Sequence, residues 1–193
     1  YMDANQKDYA GKWIEKLREK GLNETNSQKF RDVWCDFCMT FGYPEQATQA
    51  FQLSLDEYPY SLPHWNGMAK CYFAQNEIEK ALEAVDFALA IDEDNQEALE
   101  LKGFCFMQND NYEEALAIYQ QLLPKSPVPS RMYALLVKCY LDMERATEAK
   151  ANCLEWLKQC PKLTAFEKSE IYSYIALCCF NLYQSEEGMK YID

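Results

Sequence analysis

Two thiols three positions apart, in the run Cys35-Asp-Phe-Cys38, form the only motif in this chain with a redox or metal-binding look. A pair at that spacing can share a disulfide or a zinc ion. No second such pair exists, and a redox motif would want a strand-helix-strand setting for which the sequence offers no strand pattern. Burial among packed helices is therefore the expected role of these two cysteines. His64 is the sole histidine, so neither a histidine-dependent triad nor a multi-histidine metal site can be assembled. Glu113-Glu114 and Glu186-Glu187 stand near expected helix starts, where negative charge suits the helix dipole, and do not suggest an acid and base pair. No catalytic residue, metal ligand or cofactor is expected, and the chain does not read as an enzyme.

Nine cysteines, an odd number in a chain of 193 residues, favour reduced thiols and a cytoplasmic compartment over a disulfide framework. With 49% hydrophobic and 15% aromatic residues there is ample apolar surface for a continuous core. No stretch approaches the roughly 18 apolar residues of a membrane helix, and the residues after Tyr1 and Met2 lack the basic-then-apolar order of a secretory signal. A formal charge of -12 argues against nucleic acid, which needs Lys and Arg gathered on one face. Much of that charge is local: Glu77 to Glu114 carries twelve acidic residues against Lys80 and Lys102. The stretch reads as a solvated helical surface, with a docking site for a basic partner as the alternative.

The elements that must position these residues come from an internal repeat. Trp65, Met68, Ala69, Tyr72, Ala81, Val85 and Ala88 are followed about 34 residues later by Leu99, Lys102, Gly103, Phe106, Ala115, Tyr119 and Leu122. Another step reaches Tyr133, Leu136, Val137, Tyr140, Ala149, Cys153 and Trp156. One step back gives Arg31, Trp34, Cys35, Cys38, Ala47, Phe51 and Ser54. Pro59, Pro127 and Pro161 close units, whereas Glu93 replaces the closing Pro of the second. This pattern resembles the tetratricopeptide repeat, over units near 28–61, 62–95, 96–129 and 130–163. A partial fifth, 169–193, follows a five-residue insertion and carries Tyr172, Ile175, Ala176, Cys179 and Gly188. Cys71, Cys105 and Cys139 recur at the repeat period and Cys178 has the same phase, as small core residues would.

The resemblance implies an all-α fold, a right-handed superhelix (α-solenoid) of stacked antiparallel helix pairs with a concave and a convex face. Small residues such as Ala69, Gly103, Ala81, Ala115 and Ala149 are needed where backbones cross, with Tyr72, Phe106 and Tyr140 filling between. Helix punctuation agrees. Thr164 and Glu167 have capping-box spacing ahead of Phe166 to Leu182, Pro129 suits a first helical turn, and Gly42 with Pro44 marks a turn between helices. Pro124 should end a helix early. Residues 3 to 20 read as a further helix, with Tyr9, Trp13 and Leu17 on one face and Gly21 past its end. Residues 1–27 are then a cap or an incomplete earlier repeat. Because the pattern stops inside a second helix at Asp193, the chain is expected to be part of a longer protein, or a stack whose last helix is cut short.

The function implied is a scaffold that holds a protein or peptide partner in its concave groove. By resemblance the groove is lined by Asn66, Lys70, Phe73, Leu101, Phe104, Met107, Arg131, Lys138, Leu141 and Tyr174, with Glu97, Leu135 and Phe180 on the same faces. Some of these, Leu101, Phe104 and Met107 above all, can instead pack against the next unit. Members that clamp the acidic tails of heat-shock chaperones use Lys and Asn in one unit, Asn in the next and Lys with Arg in the third. Here Asp32 and Asp36, or Asn66 and Lys70, hold the first places, and Leu101 or Gly67 the later ones, so that clamp is not evident. The groove would suit a peptide with apolar anchors and a carboxylate. Two other roles remain open: a regulatory or substrate-recruiting module of a larger multidomain enzyme, and a secretion-type chaperone.

Overall fold

The computed structural model describes residues 4–191, with side chains from Gly11 onward. The expectation for Tyr9, and the ends of the chain at residues 1–3 and 192–193, lie outside what it describes. Among the described residues every regular element is helical. The helices are α1 (Ala4–Glu19), α2 (Gln28–Phe41), α3 (Pro44–Glu57), α4 (Leu62–Ala74), α5 (Ile78–Ile91) and α6 (Gln96–Gln108). They continue as α7 (Tyr112–Leu122), α8 (Pro129–Asp142), α9 (Ala146–Gln159), α10 (Ala165–Asn181) and α11 (Ser185–Met189).

The turn chemistry repeats with the sequence. Gly42, Asn76, Asp110, Glu144 and Tyr183 all adopt left-handed backbone, with φ between 58° and 79°. At each of these turns the following amide donates back to a carbonyl five residues earlier: Tyr43 to Cys38, Glu77 to Tyr72, Asn111 to Phe106, Arg145 to Tyr140 and Gln184 to Cys179, at 2.8 to 2.9 Å. This closes the first helix of each hairpin and satisfies carbonyls that would otherwise be orphaned. Gly, Asn and Asp tolerate the conformation; Glu144 and Tyr183 hold it at a cost. Proline does the remaining punctuation. Pro44 and Pro129 occupy first turns of α3 and α8, and α7 stops at Leu122, giving way to a 3₁₀ turn over Leu123–Lys125 that contains Pro124. Thr164 and Glu167 form the expected capping box of α10.

Two compact units divide the chain, Tyr1–Leu101 and Lys102–Asp193. In the first, α2 packs on α3, α3 on α4 and α4 on α5, and α1 lies against α2. The Phe51 ring of α3 presses on Gly67 of α4 so closely that an added Cβ would lie 2.3 to 2.9 Å from it. Arg31, at the repeat position held elsewhere by Trp65, Leu99 and Tyr133, is only 4% exposed. Its guanidinium donates to Ser54 Oγ at 3.0 Å and to the Glu24 carbonyl at 3.1 Å, and pairs with Glu57. A buried charge survives here because its donors are met.

In the second unit Gly103 gives Tyr119 room in the same manner, a Cβ there meeting the ring at 2.6 Å. Further along, α8, α9 and α10 enclose a core in which Tyr133 stacks on Trp156 at 6.3 Å, beside Ile171 and Ile175. Cys105, Cys139 and Cys178 here, like Cys71 in the first unit, are wholly buried. The residue that recurs in sequence is therefore the one removed from water.

Candidate functional site

In the first unit, α2 and α4 leave a cleft of about 380 Å³ between their facing sides. Asp32, Asp36 and Met39 line it from α2, His64, Asn66 and Lys70 from α4, and Glu97 closes one side from the start of α6. Repeat spacing explains the assembly. Asp32 and Asn66 stand one period apart, as do Asp36 and Lys70, so successive first helices present them side by side.

The polar groups are mostly engaged. Lys70 pairs with Glu97, and His64 Nε2 lies 3.3 Å from Asp32 Oδ1 and 3.1 Å from Gln28 Nε2. Asn66, 5% exposed, donates from Nδ2 to Asn95 Oδ1 at 3.1 Å and to Glu97 Oε2 at 2.8 Å. Asn95 Oδ1 also accepts the Ala98 amide at 2.9 Å, which fixes it as an acceptor. The Asn66 amide group is therefore held one way round, and its Oδ1 is left buried without a hydrogen bond. An orphaned buried acceptor is expensive and uncommon in a native structure.

The remaining groove positions named from sequence fall as follows. Phe73 is half-buried on α4, and Leu101 on α6 is only 8% exposed. On the α6 segment of the second unit, Phe104 meets the Tyr119 ring edge-on at 6.2 Å, and the Tyr119 hydroxyl donates to Met107 Sδ at 3.5 Å. Arg131 and Lys138 on α8 are exposed, while Leu135 is buried. Tyr174 on α10 is half-buried and donates to Glu170 at 3.3 Å. Leu141 lines a second cleft of about 450 Å³ with Glu144, Ala146, Phe180, Leu182 and Tyr183. From sequence, Gly67 reads only as a groove position and Arg31 only as a repeat position; their packing roles depend on the partner helix, which no local pattern reveals.

The thiols are placed for packing. Burial pushes Cys38 and Cys153 up to about 12, and Cys71, Cys105, Cys139 and Cys178 up to about 11. Cys35 rises still further for the same reason, with the neighbouring thiols adding to it. The thiolate needed for attack or metal ligation is thus disfavoured at every one of these sites.

An array of two-helix hairpins that repeats its turns, small residues and buried thiols at one period defines a helical-repeat protein. Residues 81–139 match the family model described as tetratricopeptide repeat. Over those residues the chain resembles the tetratricopeptide-repeat proteins. It is 34% identical over 93 residues to anaphase-promoting complex subunit 7 of Dictyostelium discoideum, an alignment covering 47% of this chain and 16% of that protein. Among solved structures, MamA from Desulfovibrio magneticus RS-1 superposes with a TM-score of 0.74 at 15% identity, over 85% of this chain and 90% of that one. Pseudomonas aeruginosa pilF gives 0.68 at 21%, over 83% and 72%. These likenesses show the fold, all-α and built of stacked helix pairs. Among the described residues no helix is long and apolar enough to cross a membrane.

Proposed function

We propose that this chain is a non-catalytic scaffold that holds a segment of another protein against the first helices of its repeats. In the first unit the contact residues are Asn66, Lys70 and Phe73, with Leu101 at the edge. In the second they are Phe104, Met107, Arg131, Lys138, Leu141 and Tyr174. The observation that carries the reading is the cleft between α2 and α4, where polar groups converge around a buried acceptor that the chain itself leaves unmet. Half-buried aromatic faces next to exposed cations suit a peptide with apolar anchors. The buried thiols accord with a reducing compartment, the cytoplasm.

Selection of random twelve-residue peptides on the whole chain tests this. Selected peptides should lose binding to Phe73→Ala or to Lys138→Glu, according to the unit each occupies, and keep it with Phe87→Ala, an exposed α5 position. Peptides that survive both groove changes and are lost with Phe87→Ala would overturn the reading. The likeness to a subunit of the anaphase-promoting complex favours a second form of it, in which the partner is a fellow subunit of a larger assembly. Co-purification of the full-length protein with a stoichiometric partner checks that form.

A further inference from the structure

We infer that the cleft between α2 and α4 is a specificity pocket for one cationic side chain, arginine or lysine, carried by the bound segment. The inference rests on the scaffold reading and names the chemistry of its occupant. What faces the cleft is acceptor-rich. Asp32, Asp36 and Glu97 bring three carboxylates, and the single lysine among the lining residues, Lys70, is already paired with Glu97. Asp36 is exposed and stands one helical turn from Asp32 on the same face of α2. Asn66 also lines the cleft, nine-tenths buried, with its Nδ2 spent on Asn95 and Glu97 and its Oδ1 unpartnered. With Glu97 engaged by Lys70 and Asp32 held by the Gln28 amide, the Asp36 carboxylate and the Asn66 oxygen are the acceptors left over in the cleft, and together they call for a donor with positive charge.

The other candidate occupants fit less well. A carboxylate would meet like charge from Asp32 and Asp36, with Lys70 already engaged. An apolar anchor would leave the Asn66 oxygen unsatisfied and strip water from the carboxylates. A backbone N–H could satisfy Asn66 but would draw nothing from Asp36. The volume, about 380 Å³, lies near the lower limit of small-molecule sites and suits one long side chain with its flanking backbone. Charge on the whole chain, -12, draws basic segments toward it before contact.

The test uses the whole chain and four pools of twelve-residue peptides, random except for a central Arg, Lys, Gln or Glu, read by retention on an array. The Arg and Lys pools should be retained at least about tenfold better than the Gln pool, with the Glu pool weakest. Asp36→Asn, at an exposed position that leaves the helices unchanged by circular dichroism, should remove most of that margin. Asp36→Lys should reverse the order of the Lys and Glu pools. Added salt should shrink the margin further. Equal retention of all four pools, or an unchanged margin in both Asp36 variants, overturns the cation pocket and leaves the scaffold reading in place. If no pool is retained by the folded chain and unbiased selection also yields nothing, the scaffold reading falls and the pocket with it.

Discussion

Burial decides what individual residues can do here. With Cys160 the least buried of the nine thiols, an aromatic disulfide reagent at pH 8 should react quickly with one cysteine in the native chain and with the other eight only on unfolding. Peptide mapping of the labelled site checks the assignment, and rapid labelling of Cys35 or Cys38 would contradict it. Gly67 makes a second residue-scale case. Alanine is the better helix former by roughly 1 kcal/mol, yet a Cβ would collide with the Phe51 ring. Gly67→Ala should therefore destabilise the chain by about 1–3 kcal/mol in urea titrations. Adding Phe51→Leu should recover part of the loss, because the two positions share one contact.

At the scale of elements, the turns carry the informative strain. Glu144 and Tyr183 occupy the same left-handed position as Gly42, Asn76 and Asp110. Glu144→Gly and Tyr183→Asn should each raise stability by about 0.5–1 kcal/mol. Asn76→Ala should lower it by a similar amount, and thermal midpoints of the three variants give the comparison. The capping box of α10 adds a pH dependence. Hydrogen bonds from the Thr164 backbone and side chain hold the Glu167 carboxyl below its ordinary value of 4.5. A carboxyl depressed in the folded state stabilises it above the unfolded value, and that contribution is lost as pH falls through the folded value. NMR titration should place Glu167 below 4.5, and Thr164→Ala should return it toward 4.5 while costing about 1 kcal/mol through the lost cap.

For the whole molecule, the consequence of a repeat is locality. Helices that pack together are neighbours in the chain, so damage should stay near where it is made. Trp156 is 1% exposed in the core shared by α8, α9 and α10. Trp156→Ala should cost about 3–5 kcal/mol. Amide exchange should quicken across α8–α10 while α4 and α5 keep their protection. Uniform acceleration along the chain would instead mean that it unfolds as one cooperative body.

The sequence by itself determined the period, the helices, the turn at Gly42 and Pro44, and the thiols that recur at core positions. Each of these follows from local rules: proline and glycine act on their own backbone, and a hairpin that cannot bury its apolar face alone writes that need into every unit. It also marked Asn66, Lys70 and their equivalents as first-helix positions. Tertiary structure alone decided that Arg31 is buried against Ser54 and Glu57, that Gly67 makes room for Phe51, and that Lys70 is spent on Glu97. It alone left the Asn66 oxygen without a partner beside Asp32 and Asp36. Those outcomes depend on which side chains meet across helices, and neither spacing nor residue type fixes that until the helices are packed.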